Sequence, residues 1–237
     1  MNKHLQQHAR TVGIQRNIQP QDIILALDTT YFHQFGVMAF RAVNLKKNLL
    51  WFEVIHETNE LYRKGVQQLL DAGWNIQGIV ADGKPGLQYL FPHIPFQMCQ
   101  FHQCQIITRN ISKKPKLDAG KELRQLMFLL TETDEASFTF WLEQWHERWK
   151  RFLGEYTIHF QTGKRIYTHR RLRTAYGSVK RNLPHLFTFE RHFRQVDIPN
   201  TTNCIDGYFS HLKAKLNIHR GASKETQLKL IAELFFL

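Results

Sequence analysis

The stretch Ile23-Ile24-Leu25-Ala26-Leu27 constrains this chain more than any other, because five apolar residues follow one another without a break and end at Asp28. A strand with one wet face alternates apolar and polar residues, so an unbroken run requires a strand covered on both faces. A second run, residues 76–81 (IQGIVA), ends in the same way at Asp82 and the turn Gly83-Lys84-Pro85-Gly86. Between the two, residues 36–43 and 49–55 read as antiparallel strands joined by the polar turn 44–48. Thr58 or Asn59 then caps a helix with Leu61, Gly65, Leu69 and Trp74 on one side, and Gly73 stops it. Residues 96–101 (FQMCQF) are the next strand candidate. The order β-β-β-α-β-α-β predicts an α/β fold with a mixed sheet of five strands flanked by helices.

After about residue 103 the strand pattern stops. Leu117, Leu123, Leu126, Met127 and Leu130 are spaced for one amphipathic helix. Phe138, Trp141, Leu142, Trp145, Trp149 and Phe152 are spaced for another, capped by Thr133 or Asp134, and this aromatic stripe reads as core.

Charge narrows the partner. The 237 residues carry 32 Lys+Arg against 20 Asp+Glu, a net +12, which points to a polyanion such as nucleic acid. Residues 161–200 hold nine Lys/Arg (Arg170, Arg171, Arg173, Lys180 and Arg181 among them) against Glu190 and Asp197, more than half of the net charge. A charge run is commonly a solvated face, but one this unbalanced suits phosphate contact. Apolar runs fall short of the ~18–20 residues of a membrane span. The polar, basic N-terminus lacks the apolar centre of a secretory signal. Three cysteines (Cys99, Cys104, Cys204) are too few for a disulfide framework. The expectation is a cytoplasmic protein with no membrane partner.

Asp28 and Asp82 occupy matching positions at the ends of two buried strands. On adjacent parallel strands, ~4.8 Å apart, their carboxylates would face one another. Two like charges there are costly unless a cation lies between them, and carboxylate oxygens suit a hard divalent ion such as Mg²⁺. The plainer alternative is that each Asp closes a turn. Near the C-terminus, Ile205, Phe209, Leu212 and Leu216 mark a helix whose Asp206 emerges at the edge of the buried face. The competing role for Asp206 is the acidic third position of a helix capped by Asn203.

The stretches ALDTTYF, HETNELYRKGVQQLLDAGW, IVADGKPGLQYLF, FQMCQFHQ and TTNCIDGYFSHLKAKLNIHRG together resemble the bacterial insertion-sequence transposases of the Mutator superfamily, in the family's order and over about residues 22–221. The resemblance implies a ribonuclease H-like core with an acidic triad and a large all-helical insertion before the third acid. It divides the chain into an N-terminal extension (1–21), a first core part (22–103), the insertion (104–200) and C-terminal core helices (201–237). By resemblance Asp28, Asp82 and Asp206 are the catalytic, metal-holding acids, and Cys99 and His102 match the family's Cys-x-x-His signature. That pair is two ligands short of a zinc site, with Cys104 as the only third candidate nearby.

The activity implied is Mg²⁺-dependent cleavage and strand transfer of transposon ends, with Mn²⁺ able to substitute, by two-metal phosphoryl transfer. Lys213, Lys215 and Arg220 would join the 161–200 cluster in holding double-stranded DNA, on which such enzymes act as homodimers or larger assemblies. Two departures stand out. The family's third acid is usually Glu, and here it is the shorter Asp206. Relatives also carry an N-terminal DNA-binding region, whereas about 20 residues precede the first strand here. The alternatives are a truncated or catalytically inactive DNA-binding remnant, and a ribonuclease H-like nuclease without strand transfer.

Overall fold

The computed structural model describes residues 9–218 and 221–236. The chain forms an α/β fold around a mixed sheet. Its strands are β1 (Ala9–Ile14), β2 (Asp22–Tyr31), β3 (Gly36–Ala42), β4 (Lys47–Val54), β5 (Asn75–Ala81) and β6 (Phe96–Met98). Their spatial order is β1-β4-β3-β2-β5-β6, antiparallel from β1 to β2 and parallel from β2 to β6. The sheet therefore has six strands rather than the expected five, and the extra one falls in the stretch read as an N-terminal extension. β1 is an edge strand paired to β4 with an irregularity between Thr11 and Gly13. Its ladder hydrogen bonds demand no apolar pattern, so hydropathy does not reveal it.

Alternation along β2 divides the core in two. Leu25 and Leu27 join Phe40, Phe52 and Ile79 on one face, under α1 (Asn59–Asp71) and the insertion. Ile24 and Ala26 join Val37, Trp51 and Val80 on the other, under α7 (Asn203–Asn217) and α8 (Lys224–Phe235). Both faces are covered, as the unbroken run requires. Thr58 caps α1 by accepting the Leu61 N–H at 3.3 Å, and Gly73, at φ +91°, ends it over the buried Trp74. Where a helix is expected between β5 and β6 there is only a 3₁₀ turn, Leu87–Tyr89. Pro92 and Pro95 deny a longer helix its backbone donors.

β6 also stops earlier than the sequence suggests, because α2 (Gln100–Ile111) begins directly after Cys99. The insertion continues with α3 (Asp118–Phe128), α4 (Glu135–Leu153), α5 (Arg170–Leu186) and the short α6 (Thr188–His192). It is not all-helical. A hairpin of β7 (Tyr156–Ile158) and β8 (Arg165–Tyr167) separates α4 from α5, and strands of three residues are too short to register as a period-two pattern.

The approach of α1 to the sheet depends on Gly65, where an added Cβ would lie 2.0 Å from the Phe40 ring. Gly65→Ala should therefore destabilise the fold by about 1–3 kcal/mol through overpacking. Denaturant unfolding checks this, and Phe40→Leu in the same chain should recover part of the loss.

Candidate active site

The β2–β5 ladder ends at the pair Leu27↔Ala81, so Asp28 and Asp82 stand one residue further along adjacent parallel strands. β2 itself does not end at Asp28. It runs on to Tyr31 because β3 continues to support it, with Asp28 opposite Ala39. By the two-residue period, Asp28 and Asp82 share the side of Ala26 and Val80, which is the side α7 covers. On α7, Ile205, Phe209 and Leu212 are buried against the sheet, and half-buried Asp206 is carried at the margin of that face.

Asp28 registers both other acids. Burial is the largest influence on its carboxyl and pushes the pKa up to about 7. The Thr29 N–H, donating at 2.8 Å, opposes the shift; Asp206 and Asp82 add to it, and His102 works against it. Sequence positions 54 and 124 residues apart are thus brought into electrostatic contact at one carboxyl.

A second network holds Asp206. Thr202, fully buried, precedes α7, and its hydroxyl lies 3.1 Å from Asp206 Oδ2, 3.3 Å from Cys99 Sγ and 3.4 Å from His102 Nδ1. The Thr202 N–H also points to Cys99 Sγ, at 3.4 Å. The hydrogen bond to Cys99 is the largest influence on His102 and raises its pKa to about 9, against the effect of burial and with help from Asp28 and Asp206. Burial would raise the Cys99 thiol, but hydrogen bonds from His102 and Thr202 outweigh it and lower the pKa. As an imidazolium, His102 donates to the Thr202 oxygen, so the single hydroxyl proton is left to be shared between Asp206 Oδ2 and Cys99 Sγ. Asp206 does not take the helix-capping role: Thr202, not Asn203, occupies the cap, and the Asp206 carboxylate bonds that hydroxyl. Cys104 donates to the Met127 carbonyl at 3.2 Å, inside the insertion.

Asp28, Asp82, Glu57, Lys84, His102 and Arg181 are among the residues lining a cleft of about 740 Å³ between the strand ends and α5. Asp206 is not part of its wall. Sequence reasoning missed Glu57, Tyr62 and Lys84. The Tyr62 hydroxyl donates to Glu57 Oε1 at 2.9 Å and lies 2.9 Å from Thr29 Oγ1. Lys84 Nζ donates to the Glu57 carbonyl at 3.1 Å, while the Lys84 N–H donates to Asp82 Oδ1 at 3.1 Å. This chain of contacts ties the residue after Asp28 to Asp82. In the sequence Glu57 is indistinguishable from Glu60, which is exposed and pairs with Arg63 on the helix surface. Gly86 permits the turn, holding φ +88° against the Asn59 side chain.

The donor chemistry of Asp28, Asp82 and Asp206 suits a hard divalent cation. Among the described residues, however, no group of three or more His, Cys, Asp or Glu side chains is drawn together tightly enough to hold a metal ion. The basic residues divide as well. Arg170, Arg171, Lys180 and Arg181 are exposed along α5, and Lys213 and Lys215 are exposed on α7. Arg173 is half-buried, with its guanidinium 3.6 Å over the Tyr167 ring and an N–H donated to the Leu153 carbonyl at 2.9 Å, so it fastens the hairpin to α4. Arg220 lies outside the described residues. No helix among the described residues is long and apolar enough to cross a membrane. No protein-family model matches the chain, and no curated protein matches it.

The raised pKa of Asp28 makes stability pH-dependent. Its protonated form is favoured by folding, so this contribution is complete below the ordinary carboxylate pKa and is lost as pH rises through about 7. The raised pKa of His102 and the lowered pKa of Cys99 belong to one hydrogen-bonded pair and offset one another in the proton balance. In divalent-free buffer the melting temperature should therefore fall as pH rises toward about 7, and Asp28→Asn should flatten that fall.

Proposed function

We propose that this chain is the ribonuclease H-like catalytic core of a DNA transposase, which cleaves transposon ends and joins them to target DNA by divalent-metal phosphoryl transfer. The carrying observation is that Asp28 and Asp82 stand side by side one residue beyond the parallel β2–β5 ladder, on the sheet face covered by α7, which carries Asp206. The strand order β4-β3-β2-β5-β6, with its three antiparallel and two parallel members, and the placement of the third acid on a later helix also support the reading. So does the likeness of the motifs around these acids to Mutator transposases.

In this reading Asp28, Asp82 and Asp206 hold Mg²⁺, for which Mn²⁺ can substitute. Bound divalent ions would supply Lewis-acid activation of the attacking hydroxyl and of the leaving oxygen. The chain's own residues do the rest. Thr202 fixes the rotamer of Asp206 through its hydroxyl. His102, carrying a proton, offsets the negative charge gathered at Asp28 before any cation arrives. Lys84, Arg109 and Arg181, around the cleft, are positioned to contact phosphates on either side of a scissile bond. Duplex DNA is the partner, engaged by a homodimer or larger assembly in the cytoplasm of a bacterium. The lack, among the described residues, of three or more His, Cys, Asp or Glu side chains grouped to hold a metal ion is what would fit a second reading, a DNA-binding remnant without catalysis.

Incubation of an end-labelled duplex and a second DNA with Mg²⁺ separates these readings. A transposase cleaves and joins, a nuclease only cleaves, and a remnant does neither. Asp206→Asn should abolish both steps with DNA affinity nearly unchanged, and Asp206→Glu should retain or raise activity. Cleavage that survives in Asp206→Asn removes that residue from the site.

Neutralising Arg170, Arg171 and Arg181 together should weaken binding to all duplexes alike. It should also reduce the slope of log affinity against log salt by about 0.9 per lost phosphate contact. Arg173→Gln should instead lower the melting temperature.

A further inference from the structure

The hairpin between α4 and α5 pairs a firmly anchored base with an unsatisfied tip. At the base, Tyr156 and Tyr167 stack with centroids 4.6 Å apart, and Thr157 and Thr168 share a hydroxyl contact of 2.8 Å. Phe152 stacks on His169 at 3.6 Å, and Arg173 clamps the Tyr167 ring. The tip is an ordered turn: the His159 N–H donates to the Lys164 carbonyl at 2.9 Å, and the Gly163 N–H returns to the His159 carbonyl at 2.8 Å. Gly163 reverses the chain at φ +62°. On this turn Phe160 is 90% exposed, more than any other large apolar side chain among the described residues, with Ile158 beside it at 66%.

A bare phenyl ring on a well-held turn has a favourable use only if something flat covers it. Charge identifies that occupant. From Tyr156 to Phe189 the chain contains no acidic residue, while Lys164, Arg165, Arg170 and Arg171 surround the hairpin's two ends. A second copy of the same hairpin would bring like charges together. A nucleic acid brings phosphates to the cations and a π-face to the ring. We propose that Phe160 is a stacking platform for an unpaired DNA base, with Lys164 and Arg165 holding the flanking phosphates. Insertion into intact duplex costs a few kcal/mol of unstacking per step. The preferred site is therefore a base already freed, as in a single-stranded tail or at a distorted end. This assignment rests on the DNA-binding reading above and adds which DNA structure the insertion selects.

The test uses the full chain in EDTA, so that no cleavage occurs, with two DNAs of equal length. One is a blunt duplex, and the other carries a 3′ single-stranded tail containing 2-aminopurine. The wild-type chain should prefer the tailed DNA and change the fluorescence of the probe by stacking. Phe160→Ala should lose roughly 5- to 150-fold of affinity for the tailed DNA, the range expected for one stacked base. Its salt slope and its affinity for blunt duplex should stay as they are, and Phe160→Trp should restore the preference. Because the side chain is solvent-exposed, melting temperatures should match. Lys164→Gln with Arg165→Gln should lower the salt slope without removing the fluorescence change.

Equal affinities of wild type and Phe160→Ala for the tailed DNA overturn the proposal while leaving the transposase reading intact. So does dissociation of a wild-type dimer by Phe160→Ala in sedimentation, which would make the hairpin a contact between copies. Phe160-dependent stacking in a chain that never cleaves DNA with Mg²⁺ keeps this proposal and removes the transposase. Failure of the wild-type chain to bind any DNA removes both.

Discussion

The parallel ladder between β2 and β5 is the constraint on which the other parts depend. It lies between an antiparallel half of the sheet and the short β6, with helices on both sides, so its register is held by side chains packed on two faces at once. A slip by one residue would exchange every inward and outward side chain and place Asp28 among the apolar residues under α1. With the register fixed, two carboxylates must share one end of the ladder. Burial at that end is the main reason the Asp28 pKa is raised, with Asp206 and Asp82 adding to the shift and the protonated His102 opposing it.

Asp206 arrives by a different route. α7 docks through Ile205, Phe209, Leu212 and Leu216, a contact that sets its position but not the direction of a side chain at its margin. That direction comes from Thr202, whose hydroxyl sits among Asp206, Cys99 and His102. Cys99 and His102 belong to the junction of β6 and α2, so the start of α2 is tied to the start of α7 across about a hundred residues of insertion. The further bond from the Gln100 N–H to the Asn200 carbonyl, at 2.9 Å, repeats the link in the backbone. The Cys-x-x-His spacing thus acts in this chain as a fastening for Thr202 and, through it, for Asp206, with the Cys99 sulfur as acceptor.

Much of this was legible because it is local. The capping threonine of α1, the stop at Gly73, the cap of α4 at Asp134 and the end of β5 before Asp82 each follow from residues within a few positions of one another, whereas β2 runs on past Asp28 because β3 supports it. What escaped reading depends on partners distant in the chain. β1 is an edge strand defined by hydrogen bonds to β4. The β7–β8 hairpin is held by Arg173 and His169 rather than by an apolar pattern of its own. Arg173 itself looked like any member of a basic cluster, and only the Tyr167 ring beneath it shows that its charge is used within the fold. Glu57 likewise takes its meaning from Lys84 and Tyr62, neither of which its own spacing could point to.

One helix joins the two regions that face outward. α5 carries the anchored hairpin at its N-terminal end, while Ser178, Arg181, Asn182 and His185 toward its other end line the cleft beside Asp28. From Arg170 to Arg181 the axial distance is about 17 Å at 1.5 Å per residue. That is close to five base-pair steps of a B-form duplex at 3.4 Å each. A helix does not stretch, so α5 is a ruler of fixed length built into the molecule. A polymer touching both ends would have to span that fixed length, which is set by the backbone of α5 rather than by any side chain that meets it.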